Sequence, residues 1–296
     1  MATMKLGVTY SLFDGEELLP FSILSIRPHV DYINVVFQEH SWFGDKCTPL
    51  VRPMLADLKN KRMIDNIIEY PFRDFGNRQK MAWYVIEKKT LGLNELKQNG
   101  CTHCMMMDTD EFYFADEFAE AKRLIAEKHI THSACSIYQY RHFPELRFRD
   151  VSTLAVPFIF ELRSDSVLTP FHNLPCYCDD LRALRFNPMR DKFYYFNSLC
   201  MHHMSGIRFD FDKKTRASFN NVTAEGHALM KNLTRDYNAD AGLTKEQLLA
   251  MPQEKLASQN DVASGGGGYV DVGDPFNLNI QLQALKKSAE PLFRAQ

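Results

Sequence analysis

A chain of 296 residues, 45% of them hydrophobic, can bury a large core as one extended α/β domain or as a domain with a smaller subdomain, and it needs no staple to fold. Its formal net charge of -2 gives no global attraction to nucleic acid or anionic lipid, which excludes a general nucleic-acid binder while leaving room for a local basic pocket. Seven cysteines are not the framework of a small secreted scaffold; with no signal-like apolar start and no apolar run of bilayer length, the sequence reads as a soluble, cytoplasmic protein without stable membrane insertion.

In chain order, Leu6 to Tyr10 is a short apolar strand, Asp14-Gly15 a turn, and Glu16 to Ile26 a helix with Pro20 near its first turn. Tyr32 to Phe37, rich in β-branched and aromatic residues, is a second strand; Pro53 to Lys59 predicts a helix and Ile64 to Glu69 a third strand. Asn77 can cap a long helix on which Ala82, Val85, Ile86 and Lys89 recur, with Lys89 free to snorkel, and Gly100 closes it. His103 to Met107 is the fourth strand and Asp116 to Ile125 the next helix. This alternation predicts a doubly wound, Rossmann-like sheet with right-handed crossovers. It does not imply a dinucleotide: Thr9-Tyr10-Ser11 stands where the glycines of that fingerprint are needed, and there is no P-loop.

Farther on, Ser133 to Tyr140, Val156 to Leu162 and Phe193 to Phe196 read as strands. Thr244 starts a short helix, and Gly265 to Gly268 interrupts regular structure, so that a lid and a linker both stay open. Asn221-Val222-Thr223 and Asn232-Leu233-Thr234 match the glycosylation pattern but are read as chance.

The fourth strand ends abruptly in acid. Asp108, Asp110 and Glu111 put three carboxylates within four residues, beside aromatic Phe112, Tyr113 and Phe114. Like charges near apolar surface are costly unless hydrogen-bonded, protonated or neutralised by a cation, and oxygen ligands favour Mg²⁺ or Mn²⁺, which suit a phosphate-bearing substrate. The bland alternative is a solvated acidic loop. Late in the chain, His202 and His203 are adjacent; on extended backbone they point to opposite faces, so one at most serves the same site as Asp110. Cys101, His103 and Cys104 suggest zinc only weakly, because neither that spacing nor Cys176/Cys178 repeats as a structural zinc module does.

The ordered set Phe13-Asp14-Gly15-Glu16-Glu17-Leu18-Leu19, Val30 to Val36, Met107-Asp108-Thr109-Asp110-Glu111-Phe112-Tyr113 and Met201-His202-His203-Met204-Ser205 resembles the family-2-like glycosyltransferases of the A-type (GT-A) fold, over about the first two-thirds of the chain. That resemblance implies a mixed, mostly parallel Rossmann-type sheet flanked by helices. It implies a core over 1–215, with a donor-binding half 1–115 and an acceptor-side half 116–215, and a C-terminal extension 216–296. It implies sugar transfer from a nucleotide-sugar donor to a glycan or small polar acceptor. By the same resemblance Asp110 binds Mn²⁺ or Mg²⁺ directly, Asp108 addresses the donor ribose or reaches the metal through water, and His202 or His203 completes the site.

Other roles keep two readings each. Lys213, Lys214 and Arg216 can cover a diphosphate or form a solvated basic face, and Lys213 is taken as the donor contact. Asp179 or Asp180 is the candidate base for an inverting reaction, or else a cap for the segment at Leu181, with Asp150 as a further option. Tyr10 can contact the nucleobase or pack; Arg73 can touch the donor or pair with Asp74, and Asn77 can touch it or cap its helix. Arg208 can approach phosphate or pair with Asp210. The alternatives to glycosyl transfer are a metal-dependent phosphohydrolase or nucleotidyltransferase and a non-catalytic carbohydrate-binding protein using Trp42-Phe43 and Tyr194-Tyr195. The oligomeric state is open.

Overall fold

The computed structural model describes residues 4–71, 81–178, 180–251 and 268–293. The strands β1 (Leu6–Leu12), β2 (Tyr32–Phe37), β3 (Asn66–Glu69) and β4 (His103–Asp108) lie in the order β3-β2-β1-β4, all parallel. This is the strand order of a mononucleotide-binding Rossmann half, as the alternating sequence pattern leads one to expect. Beyond β4 the sheet turns mixed: β8 (Val156–Glu161) is antiparallel to β4, and β6 (His132–Arg141), β7 (Phe143–Phe148) and β10 (Tyr269–Asp271) continue it by antiparallel pairs.

Side chains of β1 and β4 alternate between two layers. Leu6, Val8, Tyr10 and Leu12 of β1, with Met105 and Met107 of β4, face one core, which includes Ile23 of α1 (Leu19–Ile26), Leu55 of α2 (Val51–Asn60) and Phe118 of α4 (Ala115–Lys128). Cys104 and Met106 face the other, against Ile86, Leu93 and Leu96 of α3 (Met81–Gln98). A strand buried on both faces must be apolar throughout, which is why β4 reads as a run of methionines.

Three sequence expectations change here. Tyr10 shares the inward face of β1 and is wholly buried with its hydroxyl 3.0 Å from Ser22 Oγ, so it packs in the core and presents no ring to a nucleobase. Lys89 does not snorkel to solvent; both it and Lys88 are buried. The strand read at Phe193 to Phe196 is the start of a much longer β9 (Phe193–Gly206), which runs parallel to β6 and then antiparallel to the two-residue β5 (Glu111–Phe112).

The rest of the chain adds α5 (Phe211–Ala217), α6 (Ala224–Asp240), α7 (Lys245–Leu249) and α8 (Leu278–Phe293). Thr244 caps α7 in a reciprocal capping box with Gln247. The Asn221 side chain is buried on the carbonyls of Thr215, Arg216 and Ser218. Among the described residues no helix is long and apolar enough to cross a membrane.

Helix α3 approaches β1 closely because Gly92 lacks a side chain: a Cβ there would lie 2.1 Å from Thr9 Cγ2 and 2.9 Å from Asn34 Oδ1. Asn34 Nδ2 uses this proximity to donate to the Gly92 carbonyl at 3.0 Å. Gly92→Ala is expected to destabilise the protein by about 1–3 kcal/mol through overpacking. Urea denaturation checks this, and adding Thr9→Ser, which removes the obstructing methyl, should restore part of the loss.

Candidate functional site

The carboxyl ends of β1 and β4 open into a cleft of about 540 Å³, whose lining includes Asp108, Asp110, His203, Arg208 and Lys214. Such an edge is where open α/β sheets bind ligands. The short pairing of β5 with β9 sets Glu111 opposite His203, and so brings a late segment of the chain onto the acidic end of β4.

Asp110 is buried. Its Oδ2 accepts from Arg208 Nη2 at 2.6 Å and from Lys214 Nζ at 2.5 Å, and His203 Nε2 lies 3.6 Å away. Burial alone would raise the carboxyl, but Lys214, Arg208 and His203 together hold it well below its ordinary 3.8. Burial also opposes the charge on Arg208, yet Asp110, Asp14 and Glu17 keep that guanidinium above its ordinary value. For Lys214, burial and the like charge of Arg208 prevail over Asp110 and push the ammonium down.

The other two carboxylates share a different cation. Arg182 donates through Nη2 to Asp108 Oδ2 at 2.8 Å and through Nη1 to Glu111 Oε1. Glu111 is wholly inside, receives the Asp108 backbone N–H at 3.1 Å, and is raised by burial despite Arg182. Asp108 is 39% exposed and opens onto the cleft, whereas Asp110 and Glu111 are buried.

The two histidines part as strand geometry requires. His203 turns to Asp110, its Nδ1 held by Gln139 Oε1 at 2.8 Å. His202 points the other way, into Phe114, Tyr138 and Phe276, with Nδ1 2.8 Å from the Tyr140 hydroxyl; burial pushes it down to about 4. His202 is therefore not beside Asp110. Lys213 is not there either: its Nζ lies 3.9 Å from Asp14 Oδ1 and over the Phe13 ring, while its neighbour Lys214 reaches the carboxylate. Arg208 engages Asp110 instead of Asp210, whose side chain caps α5 by accepting from the Lys213 N–H at 2.7 Å. Asn77, Arg73, Asp179 and the Asp180 side chain lie outside the described residues.

Arg182 and Lys88 are the cleft cations that local pattern did not single out, whereas Lys214 and Arg208 were each weighed as phosphate contacts, against a solvated basic face and a pair with Asp210. Gly15 makes Arg208 fit: with φ +85° it adopts a conformation that favours glycine, and a Cβ there would sit 1.6 Å from Arg208 Nη1. The cysteines take no part; Cys101 and Cys104 are buried, and burial raises both thiols.

No family model and no curated protein matches the chain. Among solved structures it is similar to S. aureus TarS 1-349, at 13% identity and a TM-score of 0.40 over 86% of this chain and 77% of that one. It is also similar to the same protein in complex with UDP-GlcNAc, at 13% identity and a TM-score of 0.38 over 88% and 82%. A third similarity is to GalNAc-T7 with UDP, GalNAc and Mn²⁺, at 9% identity and a TM-score of 0.41 over 88% and 55%. These are partial likenesses of fold, and what the cleft can do follows from its own side chains.

Lys88 lines the cleft while buried, donating from Nζ to the Leu12 carbonyl at 3.0 Å, and burial pushes it down to about 7. Between pH 7 and the ordinary value of 10.5 the unfolded chain binds this proton and the folded chain does not, so its contribution to stability rises with pH across that window and is lost as pH falls to 7. Wild type should therefore gain stability relative to Lys88→Met between about pH 7 and 10. Paired denaturation curves at several pH values check this; a constant difference between the two proteins would reject a depressed Lys88.

Proposed function

We propose that the protein is a nucleotide-sugar-dependent glycosyltransferase that moves a sugar from a nucleoside-diphosphate donor to a glycan or small polar acceptor. The observation that supports this is the pair Arg208 and Lys214, converging on Asp110 within the cleft at the carboxyl end of β4. Guanidinium and ammonium groups suit a diphosphate, and Lys214, a quarter exposed, presents its ammonium to the cleft while Arg208 stands buried behind it. When the bond from the anomeric carbon to the diphosphate oxygen breaks, negative charge builds on that oxygen, and fixed cations stabilise it without having to donate a proton.

For an inverting reaction a carboxylate must accept the acceptor's hydroxyl proton. Asp179 and Asp180 are the proposed pair: Asp180 opens a single helical turn, Asp180–Arg182, whose Leu181 and Arg182 line the cleft. In this reading residues 1–115 form the donor-binding half, 116–215 the acceptor-side half from which Arg208 and Lys214 reach across to the donor diphosphate, and 216–296 a helical or irregular extension that serves as a lid.

A divalent ion, Mn²⁺ or Mg²⁺, would use Asp110 and His203, two ligands implied by the resemblance that stand 3.6 Å apart. The same carboxylate oxygen already receives both cations, and among the described residues no group of three His, Cys, Asp or Glu side chains is arranged to hold a metal. As arranged, these residues do not fit an ion at Asp110. The leaving-group charge is accordingly assigned to Arg208 and Lys214.

Incubation with a panel of nucleotide-sugars, following nucleoside diphosphate against phosphate and pyrophosphate, tests the reaction class. Diphosphate release coupled to a new glycosidic bond is expected; phosphate or pyrophosphate release would instead favour phosphoryl chemistry. Activity should persist in EDTA, whereas loss in EDTA with recovery in Mn²⁺ would place the ion at Asp110 after all.

Lys214→Met is expected to lower kcat by roughly 10²- to 10³-fold, as removal of an electrostatic stabiliser does. Lys214 is a quarter exposed and Arg208 still reaches Asp110 without it, so Lys214→Met should fold, which circular dichroism and Tm check. Arg208→Met is a poorer test, because it strands a buried carboxylate at a cost of about 3–5 kcal/mol. Normal turnover by a folded Lys214→Met protein would overturn the assignment.

A further inference from the structure

A second cavity, about 730 Å³, lies on the far side of the segment that carries Lys214. Its walls come from α5, α6 and the loop after β2, and Arg216, Lys231 and Arg235 bring three positive charges to it; the residues that line it include no carboxylate. On α6, His227, Lys231 and Arg235 recur every four residues and so lie along one helix face. Phe43 and Met230 supply apolar wall between these polar groups.

The partners of these side chains leave charge to spare. Arg235 meets Asp236 at 2.8 Å, and His227 Nδ1 stands 3.1 Å from Asn221 Oδ1. Among the described residues, Lys231 and Arg216 make no ion pair. In a protein with a net charge of -2, a recess lined by three cations, of which Arg235 is paired with Asp236 while Arg216 and Lys231 make no ion pair among the described residues, is a local departure that favours an anion over a neutral sugar.

Its position relative to the cleft is the second half of the argument. Trp42 lines the cleft and Phe43 the cavity; Ala217, Ser218 and Asn220 line the cleft, while Thr215, Arg216 and Asn221 line the cavity. Neighbouring residues of two short segments thus form a common wall. A ligand anchored by its anionic end in the cavity could lay a hydroxyl over this wall toward the donor.

We infer that the cavity bounded by Arg216, Lys231 and Arg235 binds the phosphate group of a phosphate-bearing acceptor. This deepens the glycosyltransferase reading by naming the acceptor class, and it rests on that reading for the word acceptor. The binding site itself stands on the cavity alone.

The test uses the full chain and glucose 6-phosphate as the phosphate ester, with glucose as the neutral control, in isothermal titration. Glucose 6-phosphate should bind and glucose should not. Lys231→Gln/Arg235→Gln should weaken binding about tenfold or more, whereas Lys214→Met, on the cleft side, should leave it unchanged. Equal binding by the double variant, or equal binding of the two sugars, would overturn the cavity assignment.

Two further arms separate the remaining sources and readings. Vesicles of phosphatidylglycerol in phosphatidylcholine should not displace glucose 6-phosphate; displacement by vesicles would make the face a lipid-binding surface and defeat the inference. In the donor assay, glucose 6-phosphate should accelerate diphosphate release more than glucose does, and the double variant should lose that acceleration while keeping the acceptor-free rate. If no nucleotide-sugar is turned over but Lys231 and Arg235 still govern glucose 6-phosphate binding, the transferase reading falls and the site stands. If donor turns over and glucose 6-phosphate binds no better than glucose, the reverse holds.

Discussion

A single buried carboxylate, Asp110, sets the terms for the rest of the site. Left alone at that depth it would take a proton; it stays ionised because Arg208 and Lys214 reach the same oxygen. Each cation depends in turn on a separate feature of the chain. Arg208 has room only because Gly15 has no side chain, and Lys214 is aimed by a helix whose start is fixed by the Asp210 cap. The pairing of β5 with β9 places both behind the end of β4. Three regions far apart in sequence therefore converge on one oxygen atom.

The charge argument drawn from the sequence was sound in its premise and met in a different way. Three carboxylates near apolar residues do need compensation. The structure supplies it with Arg182 for Asp108 and Glu111, and with Arg208 and Lys214 for Asp110. Those arginines stand alone in sequence, with no motif around them to mark their partners. Arg208 is two residues from Asp210, and local reasoning offered that pair as one of its two readings; but Asp210 spends its side chain on the first turn of α5.

Legibility followed the range of the interactions. The parallel half was readable because its buried strands are apolar runs and its helices are periodic; Tyr32 to Phe37 coincides with β2, and the Thr244 start of α7 was written in a local capping box. β9 was legible only in its aromatic start, since its later residues include Asn197, Ser198, His202 and His203. β5 has two residues and β10 three, too few for any period to show, and β7 contains a proline and a glutamate. Parity alone could have removed Tyr10 from the donor contacts, because it shares a strand face with Val8 and Leu12. The choice between Lys213 and Lys214 was harder: adjacent helical residues differ by about 100° in direction, and only the phase of α5 decides which one meets Asp110.

The segment after β9 also explains why charge is divided between two recesses and not pooled in one. Burying several like charges together is costly, and in the cleft the cations are balanced by carboxylates at the end of β4, in the turn after it and at the start of β5. Arg216 and Lys231 make no ion pair among the described residues and Arg235 is paired with Asp236, and all three lie on helix surface where water can solvate them until a ligand arrives. The first group is therefore held in place before any ligand binds, which is what stabilising a developing charge requires. The second is left under-compensated, which is what selecting an anion requires. Residues 215–221 separate the two, so a change in the seating of α5 would move Lys214 in the cleft and Arg216 in the second cavity together.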